Sequence, residues 1–303
     1  MKKADIKVGF VILHYNEMKT TMKCIESILR LNPKECIEIV IVDNNSPNKT
    51  GEVIKDKYCN CSNIHVILLD KNYGFSRANN IGFQYIAKNK KVDFIIVANN
   101  DIIFCDIDMI DKLQQAYDNR GFYIAGPDIY AVYKKEHQSP LALRPRNKAE
   151  IKAWIAKNEN NLRFIKPIHL VWIIINRTIL YKLYINYLEK KRKAERDNEW
   201  NREKDNVMLS GACLFFSSKY IELGKKPFQP ETRFYHEEDI LTSRCLINQW
   251  KISYIPQIRV EHLEGMSTNM KGYYEKKKFR YTNFVKSGKI YLKYLEQEER
   301  NHV

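Results

Sequence analysis

The sequence has no long apolar run. None of its 303 residues lie in a stretch approaching the roughly 20 consecutive apolar residues that a membrane-spanning helix needs. The nearest is HLVWIIINRTILYKLYINYL, residues 169–188, which Asn176, Arg177 and Lys182 interrupt. It reads as a buried or surface-packed helix, or as an interfacial one whose basic residues, with the following EKKRKAER, meet anionic lipid. The start, MKKADIKVGFVILHYN, is basic, but its apolar run is short and broken by His14, so it reads as a first strand and not a secretory leader. Paired cysteines are missing too. The seven cysteines are scattered and odd in number, and only Cys59-Asn-Cys61 is close-spaced. With no second pair and no histidine pair, a zinc pattern is excluded, and reduced cytosolic thiols are expected over a disulfide framework. Internal repeats and low-complexity tracts are absent. Acid is in short supply: 36 Asp and Glu face 51 Lys and Arg, a formal charge of +15. That excess suits an anionic partner (nucleic acid, a nucleotide or an acidic membrane surface) without choosing among them.

What the chain does have is core-forming material, 44% apolar and 12% aromatic, in the range of a folded globular protein. Short β-branched runs alternate with helical patterns. IKVGFVIL (6–13), IEIVIV (37–42), IHVILL (64–69) and VDFIIVA (92–98) read as strands. Residues 17–31 repeat apolar positions at helical spacing, with Asn16 placed as a cap, and 76–88 form another helix. Continuous apolar strands alternating with helices predict parallel strands covered on both faces. In such sheets ligands bind beyond the carboxyl ends of the strands. Past Gly126-Pro127 the rhythm breaks, and residues 134–206 look like a charged helical insertion. Regular structure resumes at VMLSGACLFFSS (207–218), followed by a helix near 238–249 and short strands near 252–255 and 258–261. Residues 266–303 form a basic, aromatic helical tail.

The strand ends are unusually polar. The first ends in His14-Tyr15-Asn16, the second in Asp43-Asn44-Asn45-Ser46 and the fourth in Asn99-Asn100-Asp101. After the third comes NYGFSRANNIG, from Asn72 through Gly74 and Arg77 to Gly82. A single polar strand end is an ordinary turn. Four at one sheet edge build a pocket with amide donors, fixed acceptors and a carboxylate.

At this point the sequence resembles family 2 glycosyltransferases of the GT-A fold, in particular bacterial rhamnosyltransferase-like members. The resemblance rests on VILHYN, IVIVDNNS, NYGFSRANNIG, VANND, LSGACLFF, FYHEED with Arg244, and VEH, in family order over about residues 6–265. It implies an α/β GT-A domain over 1–265, with a mostly parallel Rossmann-like sheet, and a tail beyond it. It also implies sugar transfer from a nucleotide-diphosphate sugar to a hydroxyl of a surface polysaccharide or lipid-linked glycan. By similarity, His14, Tyr15, Asn16, Asp43, Asn45, Asn72, Gly74, Arg77, Asn99 and Asn100 receive the donor nucleotide. Asp101 matches the metal-binding acid of the family's DxD-type motif, and His262 of VEH a histidine that completes the metal site, for Mg²⁺ or Mn²⁺. Asn99 stands where a full DxD carries its first acid. An inverting transfer needs a base for the acceptor hydroxyl. By alignment with the family's acidic pair this is Glu238, with Glu237 beside it and Asp239 as alternate, since register within a run of acids is uncertain by one residue. Gly211, Ala212 and Arg244 match acceptor-side positions.

Two other classes compete. A nucleotidyltransferase would show a glycine-rich phosphate loop after the first strand, and HYNEMKTTMK has no glycine. A polyanion-binding protein would line a groove with its positive charge. Here the basic residues gather in 134–206 and 271–293, away from the strand ends, which fits attachment of a cytoplasmic protein to the membrane's inner surface better than nucleic acid.

Overall fold

The computed structural model describes residues 6–32, 36–165, 200–263 and 272–301, with Leu183 and Tyr187. The 169–188 stretch and its basic continuation otherwise lie outside the described residues. The first half alternates as its periodicity requires: β1 (Val8–His14), α1 (Met18–Ile28), β2 (Ile37–Asp43), α2 (Thr50–Lys57), β3 (Ile64–Leu68), α3 (Phe75–Asn89), β4 (Phe94–Asn99) and β5 (Ile102–Phe104). Then follow α4 (Met109–Arg120), β6 (Ile124–Ala131), β7 (Glu136–His137), α5 (Lys148–Arg163), β8 (Lys204–Asp205) and β9 (Cys213–Ser217). The chain continues through α6 (Ser218–Glu222), α7 (Glu237–Ile247), β10 (Ile252–His262) and α8 (Tyr273–Asn301).

The ten strands of the described residues join one sheet, in the order β3-β2-β1-β4-β9-β6-β10-β5, with β7 beside β6 and β8 beside β10. The four expected strands pair in parallel, and β9 runs antiparallel between β4 and β6. Side-chain alternation explains why their sequences read as continuous apolar runs. Phe10, Ile39 and Ile96 face α1, α2 and α4, while Val11, Val40 and Val97 face α3, α6 and α7.

Three local expectations change. Asn16 is not the cap of α1: Glu17 holds that place, and Asn16 adopts φ 63°, with its backbone N–H donating to Ser46 Oγ. Residues 252–262 form one strand and not two, with a register shift between Ile255 and Arg259 where Pro256 has no N–H to donate. Only Cys213–Ser217 of the 207–218 run is strand, because the chain turns at Gly211-Ala212. The stretch read as an insertion supplies β7, α5 and β8, and α8 packs on α5 and α7 through Ile151, Ile155, Ile240, Val285 and Tyr291.

Candidate active site

Strand register decides what meets at the sheet edge. His14 lies opposite Asp43, and Leu13 opposite Asn99. Asp43, 6% exposed, accepts from the Ser46 N–H at 3.2 Å and from the Ser46 hydroxyl. The carboxylate is therefore held in a turn of its own strand end. Asn44, 4% exposed, donates to Asn72 Oδ1 and accepts from the Tyr73 N–H at 2.8 Å, tying the ends of β2 and β3 together. Tyr15 and Asn16 are half-buried at the end of β1, and exposed Asn45 donates to the Asp70 carbonyl.

Two residues expected to touch the nucleotide turn their side chains inward. His14 is fully buried; Nδ1 meets Thr21 Oγ1 at 2.7 Å and Nε2 meets Thr50 Oγ1 at 2.9 Å. Burial lowers its pKa against the opposing pull of Asp43. The ring braces β1 against α1 and α2, and no ring nitrogen is left for a ligand. Asn100 likewise turns inward and donates to Thr21 Oγ1 at 2.8 Å. Asn99 stays half-buried at the edge, with its backbone N–H on the Ala212 carbonyl.

The NYGFSRANN stretch grips another loop. Gly74 has φ +80° and ψ −179°, and a Cβ there would lie 2.4 Å from Arg233 Cγ. Only glycine fits this conformation at this closeness. Phe75 N–H donates to the Arg233 carbonyl, Ser76 and Thr232 share a buried hydroxyl contact of 2.8 Å, and Asn80 exchanges two hydrogen bonds with Phe228. Arg77 donates through Nε to the Pro230 carbonyl. The motif thus docks residues 228–233, the segment that leads into the acids of α7.

At the other side of the edge, β5 pairs antiparallel with β10, placing His262 opposite Ile102. Asp101 Oδ1 and His262 Nε2 come within 3.2 Å, and Leu263 N–H donates to the Asp101 carbonyl. His262 Nδ1 is 2.7 Å from Gln138 Oε1. One carboxylate and one imidazole suit a divalent cation whose remaining ligands are phosphate oxygens and water. Among the described residues no group of three or more His, Cys, Asp or Glu gathers to hold a metal on its own.

The three acids open α7 after two consecutive positive-φ residues, Tyr235 at 69° and His236 at 65°. Each acid has its own environment. Asp239 accepts from the Arg146 N–H, the Arg146 guanidinium at 2.8 Å and His236 Nδ1 at 2.9 Å. Burial alone would raise its pKa, yet these partners hold it below the ordinary carboxylate value. It has no oxygen free to take a proton from a substrate, which argues against Asp239 as the base. Glu237 is 7% exposed with Oε2 unpartnered, and burial, then the charge of Glu238, pushes its pKa well up. Glu238 is half-buried, and Oε1 lies 3.3 Å from the Gly211 N–H. Burial raises its pKa as well. A Cβ on Gly211 would sit 2.9 Å from that oxygen, so the absence of a side chain there lets carboxylate and backbone meet. Ala212 follows at the entry to β9. Arg244, two turns further along α7, donates to the Lys226 and Pro227 carbonyls and does not join the acids. Arg146, Gln138, Asn44 and Ser46 were not among the expected residues. Arg146 and Gln138 belong to the charged stretch that carries no motif, while Asn44 and Ser46 stand inside the quoted DNNS.

The structure thus presents polar strand ends, an Asp–His pair and a carboxylate against a backbone turn on an α/β sheet. The family model described as Glycosyl transferase family 2 matches residues 10–186, more than half of the chain, which belongs to that family. Its segment of 137 residues is 31% identical to "dTDP-rhamnosyl transferase RfbF" of Shigella flexneri, covering 45% of this chain and 43% of that protein. The match thus spans under half the length of that curated relative. Among solved structures, S. aureus TarS 1–349 in complex with UDP aligns over 93% of this chain and 65% of its own, at TM-score 0.53 and 13% identity. GalNAc-T7 with UDP, GalNAc and Mn²⁺ aligns over 93% and 48%, at TM-score 0.56 and 13% identity. These likenesses establish the GT-A fold.

Proposed function

We propose that this glycosyltransferase moves a sugar from a nucleoside-diphosphate donor to an acceptor hydroxyl with inversion at the anomeric carbon, assisted by Mg²⁺ or Mn²⁺. The observation that carries it is the 3.2 Å approach of Asp101 Oδ1 and His262 Nε2 at the edge where Asp43 and Asn99 also end their strands. Asp101 and His262 would hold the cation, which neutralises charge on the departing diphosphate when bound. Asp43 and its Ser46 turn receive the base and ribose, with Tyr15, Asn16, Asn45 and Asn72 around them and Asn99 toward the phosphates. Arg77 holds the Pro230 carbonyl and acts on the donor through that loop.

The acceptor oxygen attacks the anomeric carbon as its proton passes to Glu238. The bond from that carbon to the β-phosphate oxygen breaks, and its electron pair leaves with the nucleoside diphosphate. Glu238 suits the base because its raised pKa brings it closer to the operating pH and its carboxylate lies against Gly211, where an acceptor can approach the backbone. The acceptor is a surface glycan or a lipid-linked glycan, met at the inner face of the membrane.

Similarity to the rhamnosyltransferase makes dTDP-rhamnose the first donor to try. Thermal shift and transfer assays with dTDP- and UDP-sugars, with and without Mn²⁺, test the reading. Metal-dependent transfer by the wild type that disappears in Asp101→Ala is expected. Full activity in that variant, or in EDTA, would overturn the metal role.

A further inference from the structure

Gln138 stands at the end of a hairpin that other residues hold in place. β6 and β7 pair through Tyr130–His137 and Ala131–Glu136, and the Gln138 N–H donates to the Ile129 carbonyl at 2.7 Å. The neighbouring His137 bonds fully buried Asp128 at 2.7 Å and stacks on Trp200 with ring centroids 4.1 Å apart. β6 is also the parallel partner of β10, with Ala131 opposite His262. The hairpin and the histidine strand are thus parts of one sheet, and the 2.7 Å contact of Gln138 Oε1 with His262 Nδ1 is set by that frame.

An amide oxygen only accepts, so the proton of this hydrogen bond belongs to Nδ1. The neutral ring then carries its lone pair on Nε2, 3.2 Å from Asp101 Oδ1. Two acceptors 3.2 Å apart repel unless both ligate the same cation as neighbouring ligands. The reverse amide orientation would put an N–H against Nδ1 and force the ring proton onto Nε2, where it would donate to Asp101 and block ligation.

We propose that Gln138 is a positioning residue that fixes His262 as the Nδ1–H tautomer and so aims its Nε2 lone pair, with Asp101, at the divalent cation. This rests on the metal reading of Asp101 and His262 given above. Partners that orient a metal-bound histidine are typically worth about 10- to 100-fold in metal affinity.

The test has two readouts on the full chain. Long-range ¹H–¹⁵N spectra of histidine-labelled protein with Mg²⁺ and dTDP should show Nδ1 of His262 protonated and Nε2 unprotonated in the wild type, and a shifted tautomer balance in Gln138→Leu. Mn²⁺ titration followed by electron paramagnetic resonance, in the presence of dTDP, should show about 10- to 100-fold weaker binding for Gln138→Leu. Gln138→Glu, which keeps an acceptor at that position, should restore most of the affinity, and this rescue separates positioning from misfolding. A wild-type ring protonated on Nε2 with Mg²⁺ and dTDP bound, or unchanged Mn²⁺ affinity in Gln138→Leu, would overturn the proposal. If the wild type takes up no Mn²⁺ with or without dTDP, the metal reading itself falls, and the inference with it.

Discussion

Asp239 meets the Arg146 guanidinium and the His236 ring, whereas Glu237, two positions before it, keeps one buried oxygen without a partner. Opposite stability effects follow. Glu237 has a raised pKa, so the folded state binds more protons than the unfolded one, and its charge costs stability as the pH rises above the ordinary 4.5. Glu237→Gln should therefore gain on the order of 1 kcal/mol at pH 7 and almost nothing near pH 4. Asp239 has a lowered pKa, and its contribution is present above the ordinary 3.8 and lost as the pH falls through the folded value. Asp239→Asn should cost roughly 2–3 kcal/mol at pH 7, less than a fully buried pair because the Arg146 side chain is 35% exposed. Urea unfolding at the two pH values measures both, and equal signs for the two variants would contradict the assignment. Glu238→Gln should leave the fold intact and lower kcat by about 10²- to 10⁴-fold. The ascending limb of the wild-type pH–rate profile should lie above 4.5, and a limb at or below it would remove Glu238 from the base role.

At the scale of elements, the strands and their polar ends were legible because a strand covered on both faces must be apolar throughout. Any polar residue at its end then needs another reason. That argument singled out Asp43, Asn99 and Asp101, which the strand register does set at neighbouring strand ends. It also named His14 and Asn100, whose side chains turn inward to Thr21, because pattern shows that a side chain is polar but not which way it turns. It also missed Arg146 and Gln138, whose roles arise from pairings with residues distant in sequence that leave no periodic trace. The NYGFSRANN segment shows a function of the element that no single residue announces, since it clamps the loop feeding α7. Gly74→Ala tests the clamp. A non-glycine residue in this region costs about 1–3 kcal/mol, and the Cβ would also press on the Arg233 side chain and carbonyl. We expect a loss in that range by thermal unfolding. We also expect the transfer rate to fall with donor affinity nearly kept, because the displaced loop leads into the acids proposed for catalysis. Loss of donor binding alone, with the rate at saturation intact, would show that the segment serves the nucleotide and not the loop.

For the whole molecule the open matter is what the charge of +15 is for. No described helix is long and apolar enough to cross a membrane. The basic α8, about 44 Å long at 1.5 Å per residue, is an integral part of the domain. Val285 and Tyr291 are buried with α5 and α7, and the Tyr291 hydroxyl donates to the carbonyl of Arg146, the residue that pairs with Asp239. Deleting α8 would therefore expose core and loosen the acid cluster, so loss of vesicle binding on truncation would say nothing about charge. The informative change leaves the buried face alone. Lys276, Lys278, Lys286 and Lys293 are exposed along α8. Each basic residue near an anionic surface contributes about 1 kcal/mol, so replacing all four with Gln should weaken sedimentation with phosphatidylserine vesicles by two to three orders of magnitude. Thermal stability and transfer to a soluble acceptor should stay at wild-type levels, and added salt should weaken the wild type in the same way. Vesicle binding that survives the four substitutions would show that α8 is not the membrane-facing surface.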